Sequence, residues 1–145
     1  RINYYRAMAG VPADITLLAD YNQQAQAAAL MMSVNQRSSH DPTVDWTCYT
    51  IAGDTAAQNS NLYLGVFGTA AIDGYIRDPG DNNDAVGHRR WLLFPQTRFM
   101  GSGDLPHTNT YQGANALWVF DDHAADPRPP TREEFVAGPP PGCVP

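Results

Sequence analysis

Apolar positions along the chain recur first at helical and then at extended spacing, and that change of period divides the sequence. Ile2 to Met8 predicts a short helix closed by Gly10 and Pro12. Asp14 is positioned to cap a longer helix, on which Leu17, Leu18, Tyr21, Ala25, Ala28 and Met32 share an apolar face. Asn22, Gln23 and Gln26 fall on the opposite face. The polar loop "SVNQRSSHDPTVDWTCYT" follows and carries His40, and a short helical turn is predicted within Ala56–Leu64. Thr69–Arg77 repeats the amphipathic pattern through Ala71, Ile72, Tyr75 and Ile76. "DPGDNND" reads as a turn, with Asp84 as the cap of a helix holding His88. Pro95 stops that helix because it lacks an N–H and clashes with the preceding turn.

Past Pro95 the pattern is extended. "TRFMGSGDL" and "NTYQGANALWVFDD" are predicted strands, bounded by Gly, Asp or Pro. From Ala124 the Pro-dense "ADPRPPTREEFVAGPPPGCVP" predicts an extended tail with little helix. Helices first and strands last give an α+β class. The expected division is a domain over 1–123 and a Pro-rich extension over 124–145, either truncated or leading into a further domain.

Composition narrows the function. A length of 145 residues with 43% hydrophobic positions suits one globular domain. No apolar run approaches the roughly 20 residues of a membrane span. A net charge of −6 disfavours nucleic acid as a partner. Arg1 in first place is compatible with removal of an export signal. Cys48 and Cys143, in an Asn-, Gly- and Pro-rich chain, fit an exported protein with one bridge; the alternative is two unpaired thiols.

The candidate chemistry centres on two histidines. His40 follows "SS" after the long helix, and His88 opens "GHRRW". Distant histidines can converge on a metal or ligand at one cleft, although a lone histidine is more often a hydrogen-bonding residue. Ser60, His88 and Asp78 supply the residue types of a nucleophile, base and orienter, but "QNSNLY" lacks the Gly-x-Ser-x-Gly elbow that would expose the serine. Asn3 and Arg6, one turn apart, are expected to anchor the first helix to neighbouring carbonyls. One of Arg89 and Arg90 is expected to pair with Asp78 or Asp84. Trp91, Leu92, Leu93, Trp118 and Phe120 read as core, and His107 and His123 as exposed loop residues.

The order "INYYRAMAGV", "AQAAALMM", "SSH", "NSNLYLG", "AIDGYIRD", "VGHRRWLLFP", "MGSG" and "NALWVF" resembles the CAP superfamily of cysteine-rich secretory, antigen 5 and pathogenesis-related proteins. It is most similar to bacterial exported members, over about residues 1–121. The resemblance implies a three-layer α-β-α sandwich whose cleft holds two histidines and two acidic residues, able in the family to hold zinc. The histidines carry over to His40 and His88. One acidic position carries over to Asp78, shorter than the family's glutamate, and the other falls on Ser60, a weak zinc ligand. Asp54 or Asp73 could compensate. The cleft is therefore expected to comprise His40, Ser60, Asp78 and His88, with His40 and His88 as the metal candidates.

The function expected first is an extracellular or envelope-located, non-enzymatic binding domain for a small apolar ligand or an extracellular protein. The alternatives are an assembly or matrix component, and a metal-assisted or Ser/His hydrolase using the same cleft.

Overall fold

The computed structural model describes residues 1–136. Cys48 is exposed, and its expected bridge partner, Cys143, lies outside the described residues. The helices are α1 (Ile2–Ala9), α2 (Ala19–Asn35), α3 (Ile51–Gln58), α4 (Thr69–Arg77), α5 (Asn82–Ala85) and α6 (Gly87–Leu92). The strands are β1 (Thr16–Leu17), β2 (Ser60–Leu64), β3 (Phe99–Leu105) and β4 (Ala114–Trp118). They form one sheet in the order β1-β3-β4-β2. The β1 pairing with β3 is parallel and the other two pairings are antiparallel.

Strand β4 explains the layers. Every residue of its "ANALW" is buried, so both faces of the sheet centre are covered and the apolar pattern runs on without alternating. Ala114, Ala116 and Trp118 pack with Ala25, Ala28 and Met32 of α2 and Ala56 of α3. The other face sends Leu117, with Val119 just beyond the strand, into a second cluster with Ala9 of α1, Tyr75 of α4 and Leu92 of α6. Two helical layers thus sandwich the sheet, as expected for an α+β CAP-type fold.

Two strands sit earlier in the chain than the helix-then-strand order predicted. β1 is only two residues long, too short for any period to register. The end of α3 supplies the helical turn expected within Ala56–Leu64, but the same stretch also holds β2, which follows α3 after Asn59; the burial of Ser60, Asn61 and Leu62 hides the alternation of a half-buried strand. Asp14 does not cap α2, which starts only at Ala19 behind Leu18 and has no side-chain cap. The two-residue strand β1 lies between them.

Helix α2 rests directly on β3. A Cβ on Gly103 would lie 2.1 Å from the Gln26 nitrogen, and one on Gly101 2.4 Å from the Tyr21 Cβ. The helix backbone therefore occupies the space of two missing side chains. At this range the polar face of α2 meets the strand edge instead of water. Asn22 Oδ1 accepts from the Ser102 N–H at 2.8 Å. Gln26 accepts from the Asp104 N–H at 3.0 Å and donates to its carbonyl at 2.9 Å.

The first helix is fastened by two polar side chains, as expected of Asn3 and Arg6. Asn3 donates to the Ile15 carbonyl at 3.1 Å and accepts from the Ile15 N–H at 3.0 Å. Arg6 is fully buried, and its guanidinium donates to the carbonyls of Pro12, Leu92, Phe94 and Thr97 at 2.7–3.2 Å. Burial lowers its pKa to about 10, against the fields of Asp14 and Asp121 that raise it. It remains charged at neutral pH. Asp14 thus matters as a distant counter-charge, not as a cap.

Asp121 fixes the start of β3. Its carboxylate accepts from the N–H groups of Arg98 (2.8 Å), Phe99 (2.9 Å) and His123 (3.1 Å), and from His123 Nδ1 (3.1 Å). His123 is thereby half-buried rather than an exposed loop residue. Beyond it, Arg132 N–H donates to the Gly10 carbonyl at 2.8 Å and Arg132 Nη2 to the Met8 carbonyl at 3.2 Å. The segment 124–136 contains no helix or strand and leans on the C-terminal end of α1.

Two outcomes follow for stability. Gly103→Ala should cost at least about 2 kcal/mol in urea unfolding, since the added methyl meets helix backbone rather than a movable side chain. Burial tends to raise the Asp121 pKa, but its hydrogen bonds outweigh that and hold it below the usual carboxylate value. A depressed carboxyl contributes stability above its unfolded pKa of about 4, and that contribution disappears as pH falls through the folded value. In melts between pH 6 and 2, Asp121→Asn should be less stable than the parent at pH 6 and lose less on acidification; parallel curves would refute the assignment.

Candidate functional site

One cleft of about 390 Å³ brings together all four residues proposed from the sequence, His40, Ser60, Asp78 and His88. Gln58 and Asn61 line it beside Ser60, and Trp91 and Phe120 border it as well. It opens where β2 begins, between the loop after α2, the end of α3 and the start of α6.

Asp78 organises the His88 side of this cleft. It ends α4 in the left-handed conformation, with φ 47°, and is fully buried. Both carboxylate oxygens are engaged inside the protein. Oδ1 bonds His88 Nδ1 at 2.8 Å. Oδ2 accepts from the N–H groups of His88 at 3.0 Å and Arg89 at 3.3 Å. The carboxylate that caps α6 is therefore Asp78, ten residues back in the chain, and not Asp84. The residue before Gly87 carries strain: Val86 is β-branched yet sits at φ 46°, a region that such side chains rarely enter.

The Asp78 carboxylate acts as an acceptor toward the neighbouring N–H groups, which makes His88 Nδ1 the donor and leaves its Nε2 for the cleft. His40 has the same arrangement from another source. Its Nδ1 lies 2.7 Å from the Ala57 carbonyl in the last turn of α3, and a carbonyl can only accept. Among the described residues neither Nε2 has a hydrogen-bond partner. Beneath His88, the Tyr75 ring lies 5.5 Å away. Burial holds its phenol well above the usual pKa, so it stays a neutral donor to the Asn61 carbonyl and Asn115 Oδ1.

Ser60 is the unusual member. It is 4% exposed, and its Oγ has no hydrogen-bond partner among the described residues. Its register partner across the sheet is Trp118. Asn61 Nδ2 donates to the His88 carbonyl at 3.0 Å, tying β2 to α6.

Other readings from the sequence change here. Trp91 is not core but 39% exposed, and its ring meets Phe120 edge-on at 4.4 Å. His88 and Trp91 are three apart on α6, so their side chains are neighbours on one face. Leu92 and Leu93 are buried as expected. The Arg89 guanidinium donates to the carbonyls of Ile76 and Arg77 at the end of α4, and its backbone N–H to Asp78 Oδ2. Asp54 and Asp73 do not join the cleft. Asp54 accepts from Tyr49 and Gln58, and Asp73 pairs with Arg1 at 2.6 Å. His107 is exposed as expected, its Nδ1 accepting from the Gly113 N–H.

A model of the cysteine-rich secretory protein family, CAP, matches residues 1–121. The chain belongs to the CAP family. A solved structure of similar fold is that of an outer surface protein from Borrelia burgdorferi, 16% identical, with a TM-score of 0.55 over 81% of this chain and 84% of that one. No curated protein matches the chain.

The zinc site implied by CAP membership can be tested on the donors present. A zinc ion needs three or four N, S or carboxylate ligands. Here His40 and His88 each offer one nitrogen, Ser60 offers a hydroxyl, and the Asp78 carboxylate is already engaged by two backbone N–H groups and an imidazole. Asp81 also borders the cleft, yet among the described residues no group of three or more His, Cys, Asp or Glu is placed to hold a metal ion. The donor set does not fit zinc.

If Asp78 sets the tautomer of His88, Asp78→Asn should let the new amide donate to Nδ1 and move the imidazole proton to Nε2. Side-chain ¹⁵N NMR of His88 would report that switch. The same variant should lose about 1–3 kcal/mol of stability. An unchanged tautomer would show that Asp78 does not govern the ring.

Proposed function

We propose that this chain is an exported, ligand-binding CAP domain that holds a small molecule in the His40/His88 cleft without converting it. The observation that carries the reading is the state of the polar groups there. Two imidazoles are held by Nδ1 and present Nε2, and a buried hydroxyl at Ser60 has no partner of its own. Such a set is suited to receiving hydrogen bonds from a ligand. The family's secretory character and the surface location in the name of the Borrelia protein support placement outside the cell or in its envelope.

The hydrolase alternative has one observation in its favour, the 2.8 Å contact between His88 and Asp78, which is two-thirds of a Ser-His-Asp arrangement. The nucleophile is the weak point. Ser60 Oγ is not hydrogen-bonded to His88, so no base activates it. A metal-assisted variant lacks the ligands.

Zinc calorimetry at neutral pH should give no site tighter than about 10 μM, with His40→Ala/His88→Ala behaving as the parent. A fluorophosphonate probe should leave Ser60 unlabelled. In an NMR fragment screen, hits should cluster on His40, Ser60, His88 and Trp91. Tight zinc binding lost in the double variant, labelling of Ser60, or fragment hits confined to other surfaces would each overturn the reading.

A further inference from the structure

The composition of the cleft narrows what it can take. We infer that it recognises a neutral sugar ring, held by Trp91 on one face and by Ser60, His40 and His88 along its hydroxyl edge. The inference rests on the binding function proposed above and specifies its ligand class.

Charge excludes the first competitors. No Arg or Lys is among the described residues lining the cleft, whereas Asp78 and Asp81 are. A phosphate, sulfate or carboxylate would enter without a counter-charge and against two acidic residues. The polar groups that are present suit alcohols. With Nδ1 fixed as donor, a neutral His88 or His40 offers an acceptor at Nε2, and Ser60 Oγ can both give and receive. Gln58 adds an amide with both kinds of group. A ligand satisfying this mixture must carry several groups that each donate and accept, as hydroxyls do.

The aromatic border supplies the other half. Trp91 is 39% exposed beside the polar groups, and its ring and that of Phe120 stand at 75° to each other. A flat aromatic ligand would gain most from two parallel faces, which this pair does not form. A pyranose needs only one open ring face, against which its axial C–H groups pack, while its hydroxyls project sideways. A fatty chain would cover the rings but leave Ser60 Oγ buried without a partner, the costlier outcome. The cleft volume of about 390 Å³ lies near the small end of ligand sites, enough for one or two rings at the end of a longer glycan.

The test uses the full 145-residue chain with cellotetraose, chitotetraose and maltotetraose as probes, and dodecanoate and inorganic phosphate as comparators. Tryptophan fluorescence and ¹H–¹⁵N NMR are followed to about 10 mM ligand, beyond the range of weak specific binding. At least one tetrasaccharide should give saturable binding that shifts the Trp91 indole N–H and the His88 signals. Trp91→Ala should weaken it about tenfold or more, whereas Trp91→Phe, which keeps an aromatic face, should retain most of it. Ser60→Ala should weaken it without changing the thermal melt. No saturable response to any tetrasaccharide, or binding undiminished in Trp91→Ala and Ser60→Ala, would overturn the sugar assignment. Dodecanoate or phosphate shifting His40 and His88 while the sugars do nothing would retire the sugar and keep the cleft as a binding site. Silence from all the probes would count against both.

Discussion

The backbone-to-backbone approach of α2 and β3 is the constraint on which the other arrangements rest. With no side chain at Gly101 or Gly103, the helix lies on the strand at a distance that only glycine permits. Helix α2 then carries small residues, Ala25, Ala28 and Ala29, into the first core cluster, and its amide side chains reach the strand's own N–H groups. The loop leaving α2 carries His40 back to the last turn of α3, where Ala57 receives its Nδ1. A bulkier strand would lift the helix and move the cleft's first histidine with it.

The second histidine is positioned by an unrelated device. Asp78 sits at the end of α4, and its carboxylate joins α4 to α6 through the imidazole and two backbone N–H groups. The same use of a buried carboxylate recurs at Asp121, which gathers three N–H groups and His123. In both places the acid acts on the chain's own donors. That engagement separates this cleft from a metal centre: the acidic position is occupied, but the charge faces inward. Ser60, onto which the family resemblance carries a second acidic position, gives the cleft a hydroxyl.

Much of this was readable from residues. The α1 and α4 helices, the last two strands and the anchoring roles of Asn3 and Arg6 follow from periodicity and from the need of buried polar groups for partners. The ordered motifs pointed to the family and to the four cleft residues. What escaped was non-local. β1 and β2 are too short or too evenly buried to show a period. Asp84 was the nearest acid to α6, yet a carboxylate further back reached it, because the αL turn at Asp78 redirects the chain. Trp91 looked like core because its neighbours Leu92 and Leu93 are; only the helix face it occupies puts it at the opening. The "MGSG" glycines fell within a predicted strand, and nothing in the pattern showed that a helix would fill the space they leave.

The amides of Asn22 and Gln26 have a consequence for how the molecule behaves in company. An edge strand normally presents its backbone to any other extended chain, and this invites sheet-to-sheet association. Along β3, β1 pairs with the first two residues, and the two side chains from α2 then take the N–H groups of Ser102 and Asp104. A foreign strand approaching this side would find donors already matched and a helix in its path. Such closure resists the slow polymerisation to which unguarded sheets are prone.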